Sequence, residues 1–105
     1  MGLFDFFNIG SKKNTHLKQL YENGAVIIDV RTPQEYASGH IEGSHNVPLQ
    51  VIKQKVNKIK KLNKPVITCC RSGMRSAQAA NILQNAGVEC YNGGGWTSLN
   101  KIISE

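Results

Sequence analysis

Residues 65–76 read PVITCCRSGMRS, and this stretch decides the fold. Residues 65–69 form a mainly apolar run, which is typical of a strand that is buried on both faces. A tight turn at Ser72 and Gly73 follows, and a helix is predicted from about residue 74 to residue 86. The stretch therefore predicts a buried strand, a short loop and a helix in direct succession.

The same alternation continues outward to both ends of the chain. Residues 25–30 (AVIIDV) form another buried strand, and Thr32 is expected to cap a short helix that has Pro33 at its first position. Strands are predicted at 25–30, 45–47, 65–69 and 88–91, a loop at 92–95, and helices at 15–23, 33–39, 49–62, 74–86 and 96–103. Alternating strands and helices predict the α/β fold class, with parallel strands, right-handed crossovers and helices on both sheet faces. Ligands of such folds bind beyond the carboxyl ends of the strands.

Length and composition fit one small globular domain. The chain has 105 residues, of which 40% are hydrophobic and 19% charged, and this argues against a disordered or fibrous protein. Residues 1–13 are predicted to be a short apolar arm and linker, and residues 14–104 the domain, whose first helix begins at Thr15. No apolar run approaches the roughly 20 residues that a membrane-spanning helix needs.

The cysteines indicate a reducing compartment. Three cysteines are an odd number, which excludes a full disulfide framework and favours free thiols. No secretory signal is recognised, so the cytoplasm is expected. The spacing of Cys69, Cys70 and Cys90 matches no zinc pattern, and no metal site is predicted.

The net charge of +6 is concentrated in one segment. Residues 50–64 contain six lysines and no acidic residue, whereas the remainder of the chain has seven basic and seven acidic residues. This segment is either a solvated helix face, a surface that steers an anionic substrate, or a docking face for an acidic partner. Nucleic acid is not expected as a partner, because no aromatic residue interleaves with these lysines.

The loop after residue 69 has the features of a nucleophilic site. Cys70 stands at the end of a buried strand and before a glycine-containing turn, so that loop amides and the positive end of the following helix dipole can face its sulfur. Arg71 and Arg75 flank the turn. Such surroundings lower a free thiol pKa of about 8.5 by up to several units, and the same cradle would hold an oxyanion. A reactive cysteine in an anion cradle indicates a nucleophile for an anionic substrate.

Four motifs of the chain resemble the rhodanese-type sulfurtransferases, in the same order. They are DVRTPQEY at residues 29–36, GHIEGSHNVP at 39–48, CRSGMRS at 70–76 and YNGGGW at 91–96. The resemblance covers about residues 15–104. It implies the rhodanese-like three-layer α/β fold, with a central, mostly parallel sheet of four to five short strands.

The resemblance also implies thiosulfate sulfurtransferase activity. Cys70 would take the sulfane sulfur of thiosulfate or a persulfide donor, and a thiol or cyanide would accept it from the resulting persulfide. No metal or organic cofactor is implied. The substrate-binding residues would be Arg71, Ser72, Gly73, Met74 and Arg75, whose amides would hold the persulfide; the two arginines would bind the donor's sulfonate, and Arg75 would also brace the loop. A thioredoxin-like or desulfurase partner protein and a monomeric state are expected.

Other motif residues are expected to support the site. Arg31 and Glu35 are expected to pair, Asp29 to help hold the active-site loop, and Ser76 to support it. His40 is interpreted as a packing residue, and Trp96 as core or pocket wall. Cys69 should point away from Cys70 because side chains alternate along a strand, and Cys69 or Cys90 could resolve an oxidised Cys70.

Three rival functions stay open. The first is a phosphatase or arsenate reductase, because counting from Cys69 gives a cysteine, five residues and Arg75, which is the spacing of cysteine-dependent phosphatases. Alignment of the strand at residues 65–69 with the rhodanese family makes Cys69 the last strand residue and Cys70 the nucleophile. The loop then comprises the six residues 70–75, which is the length found in sulfurtransferases. The second rival is a non-catalytic binding module. The third is a persulfide carrier loaded by a partner protein, for which the lysine-rich segment would be a docking face.

Overall fold

A computed structural model describes residues 2–105, with side chains from residue 12 onward. Within these residues four parallel strands form one sheet in the order β2-β1-β3-β4. The strands are β1 Val26–Asp29, β2 His45–Asn46, β3 Val66–Cys70 and β4 Cys90–Gly95. The predicted α/β class and parallel sheet are confirmed, and the chemistry-bearing strand β3 lies inside the sheet.

Helices cover both faces of this sheet. They are α1 Gly2–Glu22, α2 Pro33–Ala37, α3 Ile52–Lys61, α4 Met74–Asn85 and α5 Trp96–Ser104, with a 3₁₀ turn at Leu49–Val51 before α3. Within the described residues, no helix is both long enough and apolar enough to cross a membrane. Helix α2 starts as predicted, because the Thr32 hydroxyl accepts the Glu35 amide while the Glu35 carboxylate accepts the Thr32 amide.

Two hydrophobic clusters, one on each face, form the core. The first joins β1, β3, α3 and α4 and includes Ile28, Ile52, Cys70 and Leu83. The second joins β1, β3, α1 and α5 and includes Leu17, Ile27, Ile67, Cys69 and Leu99. Adjacent cysteines of β3 therefore belong to opposite clusters, which confirms the predicted alternation of Cys69 and Cys70.

The prediction that the first helix begins at Thr15 is wrong. The backbone is helical from Gly2, so Thr15 lies inside α1, and the linker expected before it is helical as well. The segment contains no proline, and a single Gly10 costs a helix only about 1 kcal/mol relative to alanine. The division into an arm at residues 1–13 and a domain at residues 14–104 remains a prediction.

The prediction of a loop at residues 92–95 is also wrong, because β4 runs from Cys90 to Gly95. A Cβ on Gly93 would lie 2.7 Å from Ile67 Cγ2 and 2.8 Å from the Thr68 carbonyl oxygen. A Cβ on Gly95 would lie 2.9 Å from the Arg71 carbonyl oxygen. These glycines let a strand lie tightly against its neighbour instead of forming a turn.

Gly93→Ala is expected to lower the free energy of unfolding by about 2 kcal/mol, because the added methyl group overpacks the contact with β3. Urea denaturation would measure the change. Gly43→Ala is the control, since Gly43 has φ +83° but open space around a Cβ and should cost about 1 kcal/mol from backbone strain alone. An equal or smaller loss in Gly93→Ala would contradict this reading of β4.

Candidate active site

Cys70 is the last residue of β3, at the carboxyl end of the sheet. The prediction that the strand ends at Cys69 is wrong by one residue, because a register shift after Thr68 pairs Cys70 with Gly95 of β4. Residues 71–73 follow as a loop, and α4 begins at Met74. Cys70 is fully buried within the protein.

The loop and the first turn of α4 direct hydrogen-bond donors at this sulfur. The Gly73 amide lies 3.0 Å from Cys70 Sγ and the Ser76 amide 3.4 Å from it. The Ser76 hydroxyl is 3.3 Å away. Gly73 has φ +100°, a conformation that glycine adopts without steric cost. The local sequence therefore forms the expected cradle, with Gly73 and Ser76 as its closest donors.

The three cysteines differ in acidity. Burial raises the pKa of Cys70, but hydrogen bonds from the Ser76 hydroxyl and from the Ser76, Gly73 and Ser72 amides outweigh it and lower that pKa overall. Burial raises the pKa of Cys69 and of Cys90 to about 12 each. Of the three thiols, Cys70 is thus the one that ionises most readily.

Alkylation should report this difference in acidity. With iodoacetamide, Cys70 is expected to react in a single fast phase. The rate constant of that phase, plotted against pH, should have its midpoint at a lower pH than the rate constant of the same chain unfolded in guanidinium. The rate falls as the pH drops through the folded pKa, because the thiolate is the nucleophile. Mass spectrometry of tryptic peptides would assign the site. A midpoint at or above the unfolded value would contradict the proposed cradle.

A second set of hydrogen bonds holds the cradle from β4. Ser76 Oγ lies 2.7 Å from Asn92 Oδ1, which also accepts the Gly94 amide at 2.9 Å, and Asn92 Nδ2 donates to the Gly73 carbonyl at 3.2 Å. The Ser76 hydroxyl has one proton, so it donates either to Asn92 or to the ionised sulfur. Asn92 is not among the residues predicted for the site, because the sequence predicts a loop at residues 92–95.

Arg75, in the first turn of α4, forms an ion pair with Glu35 of α2. Its two terminal nitrogens lie 2.8 and 3.0 Å from the two carboxylate oxygens of Glu35. The hydrogen bond from Arg75, then the Thr32 amide, lowers the pKa of Glu35 to about 2. This bidentate pair joins the first turn of α4 to α2 and keeps Arg75 oriented beside the cradle.

The expected pair of Arg31 with Glu35 is not formed. Arg31 Nη2 lies 2.7 Å from Asp29 Oδ2, and both side chains are buried. The Arg31 guanidinium also donates to the carbonyls of Glu35 and Gly39 at 3.2 and 2.7 Å and lies 4.8 Å from the centroid of the Trp96 ring. Asp29 therefore binds Arg31, and the two residues together fix the turn after β1.

The remaining residues of the predicted site lie at its mouth or away from it. Arg71, Ser72 and Met74 are at the surface, Met74 with 75% exposure. His40 lies outside the core and stacks on Tyr36, with ring centroids 3.8 Å apart. Among the described residues, no group of three His, Cys, Asp or Glu side chains could hold a metal ion.

Cys90 is not close to Cys70. It pairs with Val66 at the start of β3, whereas Cys70 ends that strand. Val66 and Cys70 are four residue steps apart along β3, which is roughly 13 Å at about 3.3 Å per residue. The hypothesis that Cys90 resolves an oxidised Cys70 is therefore not supported by this geometry.

Comparison with known proteins finds a matching family model, curated relatives and similar solved structures. A family model described as the rhodanese-like domain matches residues 13–101. The uncharacterized protein YqhL of Bacillus subtilis is 45% identical over 69 residues, which are 65% of this chain and 54% of that protein. The thiosulfate sulfurtransferase PspE of Escherichia coli is 36% identical over 70 residues, which are 65% of this chain and 67% of that protein. A solved structure from E. coli, described as a rhodanese with anions, has a TM-score of 0.64 at 33% identity and covers 70% of this chain and 89% of that one. The chain thus spans between about half and two thirds of the two curated relatives.

Proposed function

Because the chain belongs to the rhodanese-like domain family, we propose that it is a thiosulfate sulfurtransferase. It would move a sulfane sulfur from thiosulfate or a persulfide donor to a thiol or cyanide acceptor, through a persulfide on Cys70. The observation that carries the proposal is the cradle of Cys70, in which the Gly73 and Ser76 amides lie 3.0 and 3.4 Å from a sulfur of lowered pKa. A thiol of lowered pKa ionises more readily, and its thiolate is the nucleophile.

The reaction has two displacement steps. In the first, the Cys70 thiolate attacks the outer sulfur of thiosulfate, the sulfur–sulfur bond of thiosulfate breaks, and sulfite leaves with the bonding electron pair. In the second, cyanide or an acceptor thiolate attacks the outer sulfur of the persulfide, and Cys70 leaves as the thiolate. Over the complete cycle the oxidation state of the protein is unchanged, so the enzyme returns to its starting form without a further reductant.

The loop residues have distinct roles in this proposal. The amides of residues 71–75, together with the Ser76 amide, stabilise the negative charge of the thiolate and of the persulfide, and those of Gly73 and Ser76 lie closest to the sulfur. Arg71, which is exposed at the mouth, binds the sulfonate oxygens of the donor. Arg75 is already paired with Glu35, which balances its charge, so it contributes mainly the orientation of the loop. Ser72 and Met74 line the approach.

The position of Cys69 argues against the phosphatase function. That residue is fully buried, belongs to the cluster on the opposite face, and has a pKa of about 12. A thiol so placed offers no nucleophile for a phosphoryl group in the loop.

A persulfide carrier would use the same Cys70 chemistry and differ in its donor. A reducing compartment such as the cytoplasm is also proposed, because all three cysteines are free thiols.

Sulfur uptake by the purified chain tests the proposal. After incubation with thiosulfate, the intact mass should rise by one sulfur atom, sulfite should be released in equal amount, and cyanide should restore the mass while forming thiocyanate. An aryl phosphate and arsenate are the parallel substrates. Turnover of either one, without sulfur uptake from thiosulfate or glutathione persulfide, would contradict the proposal.

A further inference from the structure

An apolar groove lies between helix α3 and the β2 edge of the sheet, outside the cysteine cradle. Its volume is about 410 Å³, within the range of pockets that bind ligands. It is lined by the apolar residues Val26, Ile28, Val47, Ile59 and Leu62 and by His45, Lys55 and Lys58. Leu62 is 45% exposed, so the groove presents apolar surface to solvent.

The lysine-rich segment forms one wall of this groove. Lys55, Lys58, Ile59 and Leu62 are spaced as i, i+3, i+4 and i+7, which places them along one stripe of the helix and its cap. All six lysines of residues 50–64 are exposed. Among the described side chains, the ion pairs are those of Arg31 with Asp29 and of Arg75 with Glu35. None of these six lysines therefore forms an ion pair with a described acidic side chain.

We propose that this groove is a docking site for an acidic segment of a partner protein. One or two apolar side chains of the segment would fill the groove, and its carboxylates would face Lys55 and Lys58. Charge complementarity supports this occupant, because the whole net charge of +6 belongs to the segment that borders the groove. An amphipathic segment in an apolar groove is a common mode of peptide recognition.

Two other classes of partner fit this surface less well. The apolar side chains line a concave groove, whereas binding to a membrane surface requires apolar side chains that project into the lipid. Residues 50–64 contain no aromatic residue and no arginine, so they lack the side chains that usually stack on bases or grip phosphates in a fork. A protein segment satisfies both the concave shape and the charge.

The groove is not lined by any of the residues that form the Cys70 cradle. Ile28, Ile59 and Cys70 belong to the same core cluster, so the groove and the sulfur share one face of the sheet. The groove runs along β1 from Val26 to Ile28, which pair with Val66 and Thr68 of β3. Its nearer end is therefore two residues, roughly 7 Å along the strand, from the level of Cys70. The docking proposal stands apart from the proposed sulfur transfer and is tested separately.

Binding of a synthetic probe tests the docking site. The probe is a short peptide with glutamates around two leucines, titrated into the isotope-labelled full chain and followed by amide chemical shifts. We expect shifts at residues 45–47 and 55–62 and none at residues 70–76. Lys55→Gln/Lys58→Gln and Leu62→Ser are each expected to weaken binding about tenfold, from the loss of two ion pairs or one apolar contact.

The control removes the same charge from a different position. Lys53→Gln/Lys61→Gln takes two charges from exposed positions of α3 that do not line the groove, and it should change the affinity by less than about twofold at roughly 0.15 M salt. Equal losses in the two double variants would overturn the proposal, because they would show an effect of net charge alone. Binding to phosphatidylglycerol vesicles or to a single-stranded oligonucleotide that requires Lys55 and Lys58, without binding of the peptide, would also overturn it. Sulfur uptake from thiosulfate should be unchanged in all these variants.

Discussion

Cys70→Ser is expected to abolish sulfur uptake from thiosulfate and to lower thiocyanate formation about a thousandfold or more. A serine hydroxyl ionises far less readily than a thiol and cannot form a persulfide, so the covalent route is lost entirely. Intact mass and sulfite release measure the first step, and thiocyanate colour measures the complete cycle. The loss should not depend on the donor, because every donor would load the same sulfur.

Cys69→Ser is the matched control for that experiment, since it makes the same atomic change one residue earlier. Cys69 is fully buried in the opposite cluster, so its serine variant is expected to lose about 1–3 kcal/mol of stability from a buried hydroxyl and to keep sulfur uptake. Thermal unfolding would establish that both variants are folded at the assay temperature. The assignment of Cys70 is wrong if its serine variant still takes up sulfur, or if the Cys69 variant alone fails to do so.

Features that depend on neighbouring residues in the chain were predictable. The strands β1 and β3 are continuous apolar runs that need burial on both faces, and α2 carries its own start signal in Thr32 and Pro33. The cradle of Cys70 is also local, because strand end, glycine turn and helix start follow one another within residues 70–76. Its donors are mainly backbone amides, which this succession directs at the sulfur, while Asn92 and the Arg75–Glu35 pair hold the segment from other elements.

Features that depend on distant partners were not predictable in the same way. Glu35 stands four residues after Arg31, a spacing that favours a local pair, yet Arg75, 40 residues away, binds Glu35 while Arg31 binds Asp29. Consecutive glycines usually indicate a turn, but Gly93 is required by its contact with Ile67 and Thr68. Asn92 can be assigned to the cradle only when β4 is known to continue through those glycines. The one indication in the sequence is that Asn92 adjoins them in the YNGGGW motif.

Asp29→Asn is expected to lower the free energy of unfolding by about 3 kcal/mol or more, because it leaves the Arg31 guanidinium buried without a counter-charge. Asp29 and Arg31 are 0% and 4% exposed, and the carboxylate accepts both the amide and the guanidinium of Arg31. A domain of this size is stable by about 5–15 kcal/mol, so the loss is a large part of the total. Urea denaturation followed by the fluorescence of Trp96, the single tryptophan of the chain, measures it.

Two further variants distinguish a buried charge from a general loss of contacts. Asp29→Leu/Arg31→Met removes both charges and should cost less than the sum of the single changes, although the Glu35 and Gly39 carbonyls lose their donor. Glu35→Gln breaks a pair whose side chains are about one third exposed, so it should cost about 1 kcal/mol or less. If Asp29→Asn costs no more than Glu35→Gln, burial is not what makes the Asp29–Arg31 pair important.

Sulfur uptake by the folded fraction of Asp29→Asn should be retained, because the carboxylate acts on the turn after β1. Loss of sulfur uptake without unfolding would instead assign Asp29 to the support of the active-site loop.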